Sequence, residues 1–185
     1  MRVLALLLAV GVALAHGGHY LPASGPGALD YRPAKPMPVV ELLSEAAKVV
    51  GFPIKGVAWA IYFGYTGCPD ACPLTLNRLA TIGENNEFEA IRMAFVSVDE
   101  GDTPAILSRY LNGFKPVEGF TGKPQSIRAL ADSIGLEYNR APGGWLIFHT
   151  DALALLNPEG KVVRVLFGAS RLSQNELRKE LRRLH

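Results

Sequence analysis

Apolar residues in this chain follow two rhythms that alternate along its length. Continuous apolar runs at residues 57–63 and 91–98 have the composition of strands buried on both faces. Elsewhere apolar residues recur every three or four positions, a spacing that gathers them on one face of a helix. Leu74, Leu76, Leu79 and Ile82 form such a face up to Gly83, in a helix that Pro73 is expected to open. Ile106, Leu107, Tyr110 and Leu111 form another after Thr103 and Pro104, and Ile127, Leu130, Ala131 and Ile134 a third over residues 124–134. Leu42, Leu43, Ala46, Ala47 and Val50 show the same spacing and predict a short helix over 41–50. A short strand is expected at 117–120, and two more at 152–156 and 161–167 flank the turn Asn157, Pro158, Glu159, Gly160. Ser173 and Glu176 have the spacing of a capping box, opening a last helix with Leu177, Leu181 and Leu184 on one face.

Strands alternating with helices, closed by a hairpin and a helix, predict an α/β fold. The expected architecture is a thioredoxin-like three-layer α/β/α sandwich with a central mixed sheet. A chain of 185 residues that is 49% hydrophobic can bury a sizeable core as one domain. The N-terminus stands apart. Arg2 precedes an apolar run over 3–15 that ends in Ala13, Leu14 and Ala15, the pattern of a secretory signal peptide. The run falls short of the ~20 residues that span a bilayer, so a short membrane anchor is the lesser reading. No cysteine lies near the cleavage site, which argues against a lipid anchor. Residues 16–38, rich in Gly, Pro and Ala, read as a flexible tether, and 39–185 as the folded domain. The expected location is therefore outside the cytoplasm, in the periplasm or on the outer face of the cytoplasmic membrane. A formal net charge of +2, with no aromatics interleaved among basic residues, argues against nucleic acid. The basic residues of the last helix, Arg178, Lys179, Arg182 and Arg183, read as a solvated face.

The chain has only two cysteines, Cys68 and Cys72, both at one strand-to-helix junction. In an exported protein such a pair implies a disulfide, a metal or a reducing partner. Positioned before a helix N-terminus, both sulfurs are favoured as thiolates, which are better nucleophiles and better ligands than thiols. A purely structural disulfide is the weaker reading, because so small a loop removes little chain entropy. Three residues between the cysteines, rather than two, give the sulfurs freedom to spread around a soft cation such as Cu(I). Of the four histidines, His185 ends the chain and His16 and His19 lie in the tether. His149 follows an apolar run and precedes the hairpin. In thioredoxin-like folds that place lies beside the cysteine loop and usually carries a proline; here the nearest, Pro142, comes several residues earlier.

The strings FGYTGCPDACP, SVDEGDTP, GFTG and FHTDALALLNPEGKVVR resemble the Sco/SenC family of copper-binding, thioredoxin-fold proteins that serve cytochrome c oxidase assembly. The likeness runs from about Gly56 to the C-terminus. It implies a single copper ion held by Cys68, Cys72 and His149, with Asp99 matching an acidic residue that supports the ligands. The chain departs from the family in a shortened turn after Asp99 and in residues 38–55, where a helix stands in place of the usual hairpin. The resemblance implies copper, as Cu(I) or Cu(II), as the bound metal; zinc is a physical competitor for three such donors. If cleavage follows Ala15, the new amino group, His16 and His19 form a second, weaker copper site.

Two functions follow from one site. A copper chaperone would use Cys68, Cys72 and His149 to deliver the metal to the copper-bearing subunit of cytochrome c oxidase. A thiol-disulfide reductase would use Cys68 as nucleophile and Cys72 as resolving thiol to keep that subunit's cysteines reduced. Other copper chaperones or thiol reductants are expected as further partners. A peroxide-reducing enzyme on the same fold ranks third, for want of a peroxidatic pocket.

Overall fold

The computed structural model describes residues 27–141, 144 and 147–184. The cleavage-site and anchor readings, His16, His19 and Pro142 lie outside the described residues. Among the described residues are ten strands and four α-helices, and eight of the strands form the sheet of the expected three-layer sandwich. The central strands are β4 (Ala58–Gly64), β5 (Ile91–Ser97) and β6 (Glu118–Thr121), which run parallel. Antiparallel strands extend the sheet on both sides: β9 (Ala152–Leu156), β10 (Lys161–Phe167) and β1 (Gly27–Pro36) on one, β2 (Val40–Ser44) and β3 (Val49–Phe52) on the other. The order is therefore β1-β10-β9-β4-β5-β6-β2-β3, a mixed sheet of eight strands.

Every residue of β4 is buried, as a central parallel strand requires. Its alternate side chains feed two cores. Ala58, Ala60 and Tyr62 face α1 (Ala71–Gly83), α2 (Pro104–Leu111) and α4 (Gln174–Leu181). Trp59, Ile61 and Phe63 face α3 (Pro124–Ser133). The capping box forms at Ser173 and Glu176 as the sequence implies. The basic residues of α4 and beyond are partly taken up within the chain: Arg182 pairs with Glu87 and Arg183 with Glu180. Among the described residues no helix is long and apolar enough to cross a membrane.

Three expectations are corrected. Residues 41–50 are not a helix but the hairpin of β2 and β3, with Leu42 opposite Val50 and Leu43 opposite Val49. Ala47 turns the chain with a left-handed φ of 56°, its N–H bonded to the Ser44 carbonyl at 2.8 Å. The core-facing set is instead Val40, Leu42, Val50 and Phe52, which alternate along the two strands, and pairing of β2 with β6 fixes the strand. The tether expected over 16–38 gives way from Gly27 to an edge strand, β1, registered against β10 from Gly27↔Phe167 to Pro36↔Lys161. Its prolines hid it: Pro33 and Pro36 lack the N–H a central strand needs, and an edge strand tolerates that. Finally, α1 begins at Ala71 rather than Pro73, because the Asp70 side chain accepts from the Ala71 N–H and caps the helix two residues early. Pro73 still falls in the first turn, where N–H groups have no partner within the helix.

Candidate metal centre

The cysteine half of the site hangs on the C-terminal end of β4. Gly64 ends the strand, and a Cβ there would stand 2.5 Å from Cys72 Sγ and 2.9 Å from the Phe95 ring. Only glycine leaves room for the Cys72 sulfur. Cys72 is the second residue of α1 and is fully buried, while Cys68, in the loop before the helix, is half-buried and touches both cores. The loop is clamped from beside it by a carboxylate that is itself 5% exposed, Asp102. Asp102 accepts the Thr66 N–H at 2.9 Å, the Thr66 hydroxyl at 2.6 Å and the Ser97 hydroxyl at 2.6 Å. The Cys68 N–H donates to the Tyr65 carbonyl at 3.1 Å and closes the turn.

The histidine half comes from a separate, smaller sheet. Strands β7 (Tyr138–Arg140) and β8 (Ile147–His149) pair antiparallel, with Tyr138 opposite His149. Here His149 Nδ1 lies 3.1 Å from the Thr150 carbonyl oxygen. A carbonyl only accepts, so the ring proton of a neutral His149 sits on Nδ1 and Nε2 is left with a free lone pair. Nε2 faces Cys72 Sγ at 3.7 Å. The Tyr65 ring meets the imidazole edge-on at 5.9 Å between centroids.

The donor atoms of Cys68, Cys72 and His149 all lie within 4.8 Å of one another. Donors around one ion at bond lengths of about 2.0–2.3 Å stand roughly 3.5–4 Å apart, so the trio needs only a small contraction to share a metal. Two thiols and an imidazole are the donor set of a soft or borderline cation. The sulfurs divide their protonation unequally. The Cys72 thiol, then His149 and the backbone N–H groups of Cys72 and Asp70, stabilise a Cys68 thiolate against the opposing effect of burial, and bring its pKa down to about 4. The Cys68 thiolate, with burial, pushes the Cys72 thiol far up, so the apo pair holds one proton on the inner sulfur. Burial alone would lower His149, yet its pKa is raised, because Cys68 and the Thr150 carbonyl favour the imidazolium.

Of the residues expected from sequence, Cys68, Cys72 and His149 come together. Asp99 does not join them: it accepts from the Gly101 N–H at 2.8 Å and pairs with Arg140. The residues that sequence reasoning missed are Asp102, Asp151, Tyr62 and Tyr65. Asp102 lies only three positions past the residue chosen, and its signal was a carboxylate directly before the Thr103 cap. Asp151 carried a signal as well, a charge at the mouth of the wholly apolar β9.

Comparison with known proteins agrees with this geometry. A SCO2-like protein of Rickettsia felis is 34% identical over 120 residues, 60% of this chain and 58% of that relative. The human protein described as SCO2 homolog, mitochondrial, is 33% identical over 113 residues, 55% of this chain and 42% of that one. The chain thus spans less than two thirds of the length of these curated relatives. Bradyrhizobium japonicum ScoI, solved with copper bound, superposes with a TM-score of 0.71 at 28% identity, covering 81% of this chain and 99% of the other. Apo Sco1 of Thermus thermophilus superposes at 0.68 with 30% identity, covering 84% and 95%. Residues 44–185 match the SCO1/SenC family model, and the chain belongs to that family.

Proposed function

We propose that this protein binds copper through Cys68, Cys72 and His149 and acts as a chaperone in assembling the copper centre of cytochrome c oxidase. The observation that carries this reading is the convergence of two sulfurs and one imidazole nitrogen within 4.8 Å on a fold shared with copper-bound ScoI. The thiolates suit Cu(I), and the nitrogen adds a donor that Cu(II) favours. Asp99 would act at most from a distance, through Arg140. The leader at 1–15 and the segment holding His16 and His19 would place the domain outside the cytoplasm and supply a weaker copper position. The recipient is the copper-bearing subunit of the oxidase.

A second reading, reduction of that subunit's cysteines, is favoured by the asymmetry of the pair. Cys68 is accessible and thiolate-like; Cys72 is buried and protonated. In that reaction the Cys68 thiolate attacks one sulfur of the recipient's disulfide, forming a mixed disulfide and releasing the other sulfur as thiolate. Cys72, losing its proton, then attacks Cys68 and frees the second recipient thiol. The recipient is reduced by two electrons and this chain ends with a Cys68–Cys72 disulfide.

One variant separates the readings. In His149→Ala, copper affinity should fall by about a thousandfold or more, ~4 kcal/mol, while exchange with model disulfides proceeds nearly unchanged. Unaltered copper affinity by competition titration would remove the three-donor site. Titrating the reduced protein with the recipient's copper domain, first reduced and then oxidised, would show whether metal or disulfide moves.

A further inference from the structure

Two tyrosines, Tyr62 in β4 and Tyr65 just after it, flank the segment that carries His149. On one side the Tyr65 ring, which opens the cysteine loop, meets the His149 imidazole edge-on at 5.9 Å between centroids. Two residues after His149, Asp151 Oδ1 accepts the hydroxyl of Tyr62, in β4, at 3.0 Å. Asp151 is itself anchored: its Oδ2 accepts the Ser170 N–H at 3.0 Å and the Ser170 hydroxyl at 2.7 Å, and its carbonyl accepts the Gly168 N–H at 2.7 Å. Tyr62 is fully buried, so Asp151 is fixed to a ring that the core holds in place. Strand β8 is only three residues long and pairs with β7, outside the main sheet. The tyrosines therefore span the gap between the element that carries the sulfurs and the element that carries the nitrogen.

We propose that Tyr62 and Tyr65 form a bracket that sets where His149 stands relative to Cys72, making Tyr62, Tyr65 and Asp151 positioning residues of the metal centre. The inference rests on the copper-site reading and adds a division of labour. The sulfurs are placed by the cysteine loop and α1 alone. The nitrogen is placed by the bracket, so loosening the bracket costs the metal state that needs nitrogen and spares the one satisfied by two thiolates.

The test uses Tyr62→Phe, which removes the oxygen bonded to Asp151 and keeps the buried ring, and Tyr65→Leu, which removes the ring that meets the imidazole. Cu(I) and Cu(II) affinities are measured by competition on reduced, metal-free protein. Each variant should lose about ten- to a hundredfold in Cu(II) affinity, with weakened nitrogen hyperfine structure in the paramagnetic resonance spectrum, and less than about threefold in Cu(I) affinity. Equal losses in both states would mark a merely structural role and overturn the proposal; so would no loss in either. Ser170→Ala, which removes one of Asp151's anchors, should act in the same direction and less. A metal-free arm reads the Tyr65–His149 ring contact by nuclear Overhauser effects in wild type and Tyr62→Phe. Loss of the contact in the variant upholds the bracket, and an unchanged contact overturns it. If the wild type takes up copper in neither state, the proposed function falls while the bracket is still decided by this arm.

Discussion

The two halves of the candidate metal centre are built differently. The cysteine half rests on a wholly buried central strand, a capped helix start, a glycine that clears space for sulfur and a buried carboxylate with three hydrogen bonds. The histidine half rests on a three-residue strand in a two-stranded sheet, with Phe148 beside the ligand 63% exposed. Local stability follows buried contacts and protected hydrogen bonds. The sulfurs are therefore preorganised, and the nitrogen is joined to them across a softer element. Under the proposed chaperone function, which requires the site both to hold and to release a metal, the adjustable donor then lies on the less stable side.

Three measurements would break or sharpen this contrast. The largest effect is expected in the reactivity of the two thiols. Alkylation of Cys68 by iodoacetamide should exceed that of buried Cys72 by at least about a hundredfold. Because the Cys68 pKa is lowered to about 4, its reaction should stay near its plateau at pH 6 and fall only as the pH drops toward 4, where an ordinary cysteine loses reactivity below about 8.5. A Cys68 midpoint near 8.5 would show that the loop does not hold a thiolate. Next comes Asp102→Ala, which strands the Thr66 N–H and two hydroxyls in a buried place. It should destabilise the protein by about 3 kcal/mol in denaturant unfolding. A loss below about 1 kcal/mol would mean that the cysteine half is no more firmly built than the other. The smallest effect is expected for Phe148→Ser, on the exposed side of β8. It should change unfolding free energy by less than about 0.5 kcal/mol. A loss of several times that would place structural weight on the histidine half.

What the sequence disclosed follows the same division. The buried strands at 57–63 and 91–98 and the helical faces around Leu76, Leu107 and Ile127 announce themselves by periodicity, since burial on one or both faces leaves a compositional mark. The cysteine motif names its own candidate donors. His149 was found by its place before the hairpin. What stayed hidden depends on partners distant in sequence. The β2–β3 hairpin carries an apolar spacing that fits a helix equally well, and only pairing with β6, about 75 residues on, selects the strand. Strand β1 is exposed along most of its length and carries prolines, so nothing in it signals burial. Tyr62 looked like one more apolar strand residue, and its hydroxyl finds Asp151 89 positions away. Asp99 follows from the family resemblance, yet the carboxylate that reaches the cysteine loop is Asp102, which accepts from Thr66 and Ser97.

The edge strand β1 has a consequence for how copies of the protein meet. A mixed sheet of eight strands has two margins, and each exposes a row of backbone groups on which a neighbouring molecule could template itself. On one margin Pro33 and Pro36 delete donors from that row, and Asp30 is drawn into an ion pair with Arg164. The other margin, β3, is four residues long and offers little to extend. Removing β1 would bare the seven-residue strand β10, whose composition Lys-Val-Val-Arg-Val-Leu-Phe is strongly β-prone. In colloidal terms, deleting the segment that reads as a mere spacer is expected to turn a concentrated solution of this domain toward growing sheet upon sheet.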